Sequence, residues 1–172
     1  MTFSKYNSNK YKKHGAYHWM WYASKPKYIS YVNHVKEWVQ EKNTLDVGAG
    51  DGLIASVLGI KGVDYEPDAI SLAKEKGVEI TLGDVHNLPY KDEEFDSVFT
   101  GNTLEHFEFP EMALKECRRI LKKYLYIVVS IVEGSYSISK EELKKQVESA
   151  GFVLEGEIWA EGDAWWGKFK KI

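Results

Sequence analysis

Thr44-Leu45-Asp46-Val47-Gly48-Ala49-Gly50-Asp51-Gly52-Leu53 is the stretch on which the reading of this 172-residue chain turns. Apolar and β-favouring residues lead into three glycines at alternate positions, and an apolar, helix-like run from Leu53 to Leu58 follows. Strand, glycine turn, helix is how an α/β sheet offers backbone N–H groups and a helix N-terminus to a ligand. A dinucleotide fingerprint would need a small residue at position 53, where Leu53 stands. Taken alone, the glycines are equally compatible with an ordinary tight turn, so the residues downstream have to decide.

Downstream, strands alternate with helices. Residues 60–64 read as a second strand ending at Asp64, with Pro67 opening a helix that runs to about Lys76. An acid at that strand end, 16 positions after Gly48, can accept both hydroxyls of a ribose. Glu66 is better placed than Asp64 to cap the helix. Gly77 ends it, residues 78–81 make a third strand, and Gly83-Asp84-Val85-His86-Asn87-Leu88-Pro89-Tyr90 follows. Residues 95–100 form a fourth strand, and residues 110–121 an amphipathic helix. Tyr124 to Val132 is a β-branched apolar run, expected to be a central strand buried on both faces. Ser139 with Glu142 three residues later is a capping box for a helix to about Ala150. Phe152–Trp159 and Trp165–Lys170 then read as a hairpin around Glu161-Gly162-Asp163.

The ordered set resembles the class I S-adenosylmethionine-dependent methyltransferases over roughly residues 43–152. Its parts are Asp46-x-Gly-x-Gly-x-Gly, Asp64, Gly83-Asp84-x-x-x-Leu88-Pro89-Tyr90, residues 95–106, Arg118 to Lys122, and Ala150-Gly151-Phe152. The resemblance implies a three-layer α/β/α sandwich with a seven-stranded, mostly parallel sheet whose last strand is antiparallel. It also implies S-adenosylmethionine bound across the strand ends and released as S-adenosylhomocysteine. Gly48, Ala49 and Gly50 would approach its amino-acid part, with Gly52 closing the turn and Asp46 orienting the loop or the bound amino group. Asp64 would take the ribose and Tyr65 would cover an adenine face. Asp84 would accept from the adenine amine, Val85 would give the ring a backbone N–H, and Asn102 would reach the methionine part. The Pro-Gly-Gly turn usual after the Arg118–Lys122 helix end is replaced by Lys123, so a tighter loop is expected there.

Composition bounds the remainder. A hydrophobic content of 44% and a charged content of 28% suit one globular domain, here residues 1–172. Cys117 is the only cysteine, and no leader or membrane-length apolar run is evident, so a cytoplasmic protein is expected. Residues 1–42 carry eight lysines against two acids, while the remaining 130 carry 15 basic and 24 acidic side chains. The basic segment also holds ten of the 24 aromatic residues. Residues 1–13 read as a loosely ordered arm, and residues 28–41 as a helix on the sheet.

Methyl transfer to a nucleophile rests on positioning, with a general base needed only for an acidic acceptor. Candidate bases are His106, Glu105 and His18. The run Asn102-x-x-Glu105-His106 resembles the Glu-x-x-Glu-His of metal-using branches, but Asn102 removes one anionic ligand and no metal is expected. Substrate contacts are expected from Tyr17, His18, Trp19, Trp21 and Tyr22 of the N-terminal segment, from Thr103, and from Trp165 and Trp166 of the hairpin. An aromatic pocket suits a small flat or apolar acceptor. The basic arm with interleaved aromatics leaves RNA, or a protein, as an alternative acceptor. A non-catalytic S-adenosylmethionine-binding module or partner subunit is the alternative of another class.

Overall fold

A computed structural model of the chain describes residues 9–130, 139–160 and 164–172. Residues 1–8 of the arm, 131–138 (with the ends of the expected fifth strand and Ser137-Ile138), and the hairpin turn at 161–163 lie outside the described residues.

The chain begins with three helices, α1 (Asn9–His14), α2 (Tyr17–Ser24) and α3 (Pro26–Trp38). Strand β1 (Thr44–Val47), helix α4 (Leu53–Leu58), strand β2 (Lys61–Asp64), helix α5 (Pro67–Glu75) and strand β3 (Ile80–Leu82) form the first half of the sheet. Strand β4 (Phe95–Gly101), helix α6 (Pro110–Ile120), strand β5 (Leu121–Ser130), helix α7 (Lys140–Ser149), strand β6 (Phe152–Ala160) and strand β7 (Ala164–Lys171) complete it. The seven strands lie in the order β3-β2-β1-β4-β5-β7-β6. All pairings from β3 to β5 are parallel, and β7 runs antiparallel to both β5 and β6. This is the sandwich expected from the motif order, with the last strand inserted inside the sheet.

Order reverses between β1 and β4, where one chain direction leaves toward β2 and the other toward β5. That switch point leaves a crevice at the carboxyl ends of the strands. Apolar residues on one face, including Val98, Ile127 and Phe169, pack against Leu114, Ile120, Leu143 and Val147 of α6 and α7. On the other face, Phe99, Tyr126, Val128 and Trp166 meet Val32 and Val35 of α3 and Leu53 and Ile54 of α4. Continuous apolar strands are the consequence of covering both faces.

Three local readings need correction. The arm is not loose at residues 9–13, where α1 folds and buries Tyr11. Between α6 and β5 there is no loop at all. Ile120 ends the helix and Leu121 begins the strand, with Lys122 projecting outward to Asp96 at 3.1 Å. The third strand is shifted to residues 80–82 because Gly77 and Val78 close α5, the Val78 N–H donating to the Ala73 carbonyl. The caps are as expected: Glu66 accepts from the Asp68 N–H, and Ser139 from the Glu142 N–H. Among the described residues no helix is long and apolar enough to cross a membrane.

Candidate functional site

A cavity of about 590 Å³ opens beyond the carboxyl ends of β1, β2 and β4, under the N-terminal helices. Its volume falls within the roughly 300–1,000 Å³ usual for small-molecule sites. One wall is the glycine turn. Gly48, Gly50 and Gly52 all hold positive φ angles, 77°, 55° and 77°. The N–H groups of Gly48 and Ala49 donate to the Val63 carbonyl, and the Gly50 N–H donates to Asp64 Oδ2 at 2.7 Å. The turn is thereby tied to β2. Gly48 faces Thr103 so closely that any Cβ there would collide with its side chain. Gly48 and Ala49 line the cavity, whereas Gly50 and Gly52 do not. Gly50 lies beneath the Tyr11 hydroxyl, and Gly52 presses on Val78 and Ala73 at the start of α4.

The acids stand at successive strand ends. Asp46 of β1 is buried, and desolvation with the neighbouring Asp64 charge pushes its carboxyl up to about 8. Asp64 of β2 accepts from the Glu66 N–H on Oδ1 and the Gly50 N–H on Oδ2, with the Tyr65 N–H as a further donor to the carboxylate. Burial raises its pKa, and those N–H donors pull it back. Tyr65 projects at the rim, about two-fifths exposed. Asp84 and Val85 line the far end, and Asp84 Oδ1 already accepts from the N–H of His86 and faces its Nδ1 at 2.7 Å. That side of Asp84 is therefore engaged before any ligand arrives.

Strand β4 ends abruptly. Asn102 adopts a left-handed φ of 51° and donates its N–H to the Val128 carbonyl. Thr103 donates to the Gly101 carbonyl, and a short 3₁₀ turn, Leu104–His106, follows. Asn102, Thr103 and His106 line the cavity, while Glu105 does not. Burial, and then the charge of Lys10, lower the His106 pKa, so its imidazole is neutral and able to accept a proton at neutral pH.

The roof comes from α1, α2 and α3. Tyr11, Tyr17, His18, Trp21, Tyr28 and Tyr31 all line the cavity. A fully buried carboxylate, Asp51, fixes α2 over the glycine turn: it accepts from the His18 N–H and lies 3.0 Å from His18 Nδ1. The Asp51 carbonyl accepts from Trp19 Nε1 as well. His18 thus faces the cavity as an anchored side chain.

Several expected substrate contacts fall elsewhere. Trp165 and Trp166 are fully buried and point to opposite faces of the sheet, as strand alternation requires. Trp166 packs against Tyr31 and Trp38, and Trp165 against Phe169 with its Nε1 donating to Glu157. Trp19 is turned to the Asp51 carbonyl, and Tyr22 packs on the core beneath α3. Tyr11, Tyr28, Tyr31 and Asp51 were not expected at the site. The three-residue spacing of Tyr28 and Tyr31, one helical face beside Pro26, is the signal that would have found two of them. Among the described residues no group of three or more His, Cys, Asp or Glu side chains is placed to hold a metal ion.

A family model described as a methyltransferase domain matches residues 45–129. An uncharacterised protein of Methanocaldococcus jannaschii is 28% identical over 76% of this chain and 67% of its own length. The norajmaline N-methyltransferase of Rauvolfia serpentina is 36% identical over 60% of this chain, which spans only 40% of that enzyme. Among solved structures, an S-adenosylmethionine-dependent methyltransferase of Thermotoga maritima, described as a possible histamine N-methyltransferase, superposes with a TM-score of 0.81. It is 26% identical, and the match covers 96% of this chain and all of that one.

Proposed function

Because the chain belongs to the class I S-adenosylmethionine-dependent methyltransferases, we propose that it methylates a small molecule held beneath its own N-terminal helices. One observation carries this reading. The glycine turn, Asp64 and Asp84 share a single cavity with an aromatic roof, so a donor site and an acceptor site are contiguous.

The residues present fit the cofactor. Gly48 lines the cavity with no side chain of its own, which lets its turn close on Thr103, and Asp64 presents a carboxylate held by backbone N–H donors at the end of β2. Asp64 would hold the ribose, Tyr65 and Val85 the adenine, and the Gly48–Ala49 turn with Asp46 the amino-acid end. When bound, the cofactor supplies an electrophilic methyl group on a sulfonium that is already a good leaving group.

The chain's own contribution is positioning. The roof excludes water and holds an acceptor at near-attack distance from the strand ends. His106, neutral at pH 7 and facing the cavity, takes a proton where the acceptor has one to lose. Small-molecule acceptance is favoured over a nucleic-acid strand because Tyr11 and Tyr17 are buried toward the cavity. They do not form an outward stacking surface among the lysines. A cytoplasmic site of action belongs to the same proposal, supported by a lone, buried, unpaired Cys117.

Calorimetric titration with S-adenosylmethionine and S-adenosylhomocysteine, followed by a methyl-transfer screen over amines, phenols, carboxylic acids and RNA, tests this. Both ligands should bind, and a small acceptor should turn over. Binding with no turnover on any class would identify a non-catalytic cofactor-binding module instead. If neither ligand binds, both readings fail.

A further inference from the structure

We propose that the aromatic roof selects a protonated amine on an aryl-sized body as the methyl acceptor, in preference to a neutral alcohol or a carboxylate. The inference rests on the methyltransferase reading and names the acceptor class for that site. The rings form a continuous wall: Tyr11 to Tyr17 at 5.2 Å, Tyr17 to Trp21 at 4.9 Å, Trp21 to Tyr28 at 5.5 Å and Tyr28 to Tyr31 at 5.4 Å between centroids. Aromatic faces attract a desolvated cation. The same wall already does so on its outer flank, where Lys25 Nζ stands 4.1 Å from the centroid of Trp21.

The charges facing the cavity have the matching sign. Among the described residues, Asp51, Asp64, Glu66 and Asp84 supply four carboxylates, and Asp46 a fifth acid that is mostly protonated at pH 7 until a cation stands beside it, against one lysine, Lys10, exposed at the rim beside His106. Among the described residues no arginine lines the cavity, so a carboxylate acceptor would meet no bidentate partner there. Burial, with the neighbouring acids, raises the phenols of Tyr11, Tyr28 and Tyr31 far above their ordinary range, so the roof itself stays neutral. Attraction for a cation therefore comes from ring faces above and carboxylates below.

An ammonium must lose a proton before it can attack. In this site the ammonium gives one proton to His106, or through it to solvent. The freed nitrogen lone pair then forms the N–C bond to the methyl carbon. The C–S bonding pair passes to sulfur, converting the sulfonium to a thioether, and the product is the N-methylated ammonium. The sum is one ammonium and one sulfonium giving one methylated ammonium, one thioether and one released proton.

Calorimetry on the whole chain saturated with S-adenosylhomocysteine, which cannot react, tests the inference with 2-phenylethylamine, 2-phenylethanol and phenylacetate. The amine should bind at least roughly tenfold more tightly than the alcohol, and phenylacetate more weakly than either. Tyr28→Leu should lose that advantage while binding the alcohol within twofold of the parent, and Tyr28→Phe should retain it. S-adenosylhomocysteine affinity serves as the folding control for both variants. Normal S-adenosylhomocysteine binding with the amine no tighter than the alcohol, or not bound at all, overturns the amine selection and leaves the methyltransferase reading standing. Failure to bind S-adenosylhomocysteine overturns the reading beneath it.

Discussion

The carboxylate of Asp51 grips His18 twice, accepting from its backbone N–H on Oδ2 at 3.0 Å and facing its Nδ1 across 3.0 Å on Oδ1. A carboxylate only accepts, so Nδ1 carries a hydrogen toward it. Through this pair a residue inside the glycine turn holds the helix that roofs the site. Asp51→Asn keeps the shape but loses the charge, and should cost about 2 kcal/mol of stability. Thermal unfolding reads that loss. Isothermal titration should show cofactor affinity falling with it, because the roof is anchored to the turn proposed to hold the cofactor. A variant with unchanged stability and affinity would mean that α2 is held by its aromatic packing alone.

Gly48 is the turn position with least room, since it combines a φ of 77° with the Thr103 side chain against its α-carbon. Gly48→Ala should lose about 2–4 kcal/mol from backbone strain and overpacking. The double variant Gly48→Ala/Thr103→Ala should recover the overpacking part and leave the strain. Chemical denaturation of the four combinations gives the coupling directly. Strict additivity would show that the two residues do not press on each other.

Asp46 makes a proton inventory. Its carboxyl, raised to about 8 from an ordinary 3.8, is mostly protonated in the unliganded protein at pH 7. A cofactor carrying an ammonium beside it favours the carboxylate, so binding at pH 7 should release a proton. The apparent binding enthalpy should then track the ionisation enthalpy of the buffer. In Asp46→Asn that dependence should shrink by the proton Asp46 supplies. The stability sign runs the other way from an ion-paired acid. Asp46's contribution is complete below its unfolded value near 3.8 and is lost as the pH rises to about 8. The unliganded Asn variant should therefore lose less stability than the parent between pH 6 and pH 8.

Trp166 separates core from site. It is fully buried on β7 beneath α3, against Tyr31 and Trp38, and should cost about 3–5 kcal/mol when truncated to alanine. Trp166→Phe should refold the same core and leave the acceptor KM within about twofold, an effect too small for a residue that touches the acceptor. A large rise in KM at unchanged stability would return Trp166 to the substrate pocket.

The glycine turn and the acids that wall the cavity were legible because their constraints are local. A strand end, a glycine with positive φ and an acid at the next strand end each leave a mark on a few adjacent residues, and Asp64 follows Gly48 at a readable distance. The roof was not. Tyr11 lies among lysines in a six-residue helix with no apolar period, and only its packing over Gly50 and against Tyr17 makes it interior. The paired tryptophans misled for a related reason. Aromatic density near a strand end looks the same whether the sheet is covered on one face or two, and α3 on one face with the α6–α7 layer on the other bury both. Lys122 looked like a helix end and Lys123 like a loop residue, yet both lie at the start of β5, since a strand can start with charged side chains that point to solvent.

Thr103 touching Gly48 also bears on how such a protein could be redesigned. The loop that leaves β4 and the glycine turn proposed to cradle the donor share one contact surface, with Thr103 Oγ1 3.5 Å from the Gly48 carbonyl. Retailoring the acceptor loop at this residue would be felt by the donor turn, so a library aimed at new substrates there carries a built-in penalty on cofactor grip. The roof meets the strand ends at Asp51 and where the Tyr31 hydroxyl closes over Gly101. Diversity introduced at Trp21 and Tyr28 is the cheaper route to a new acceptor.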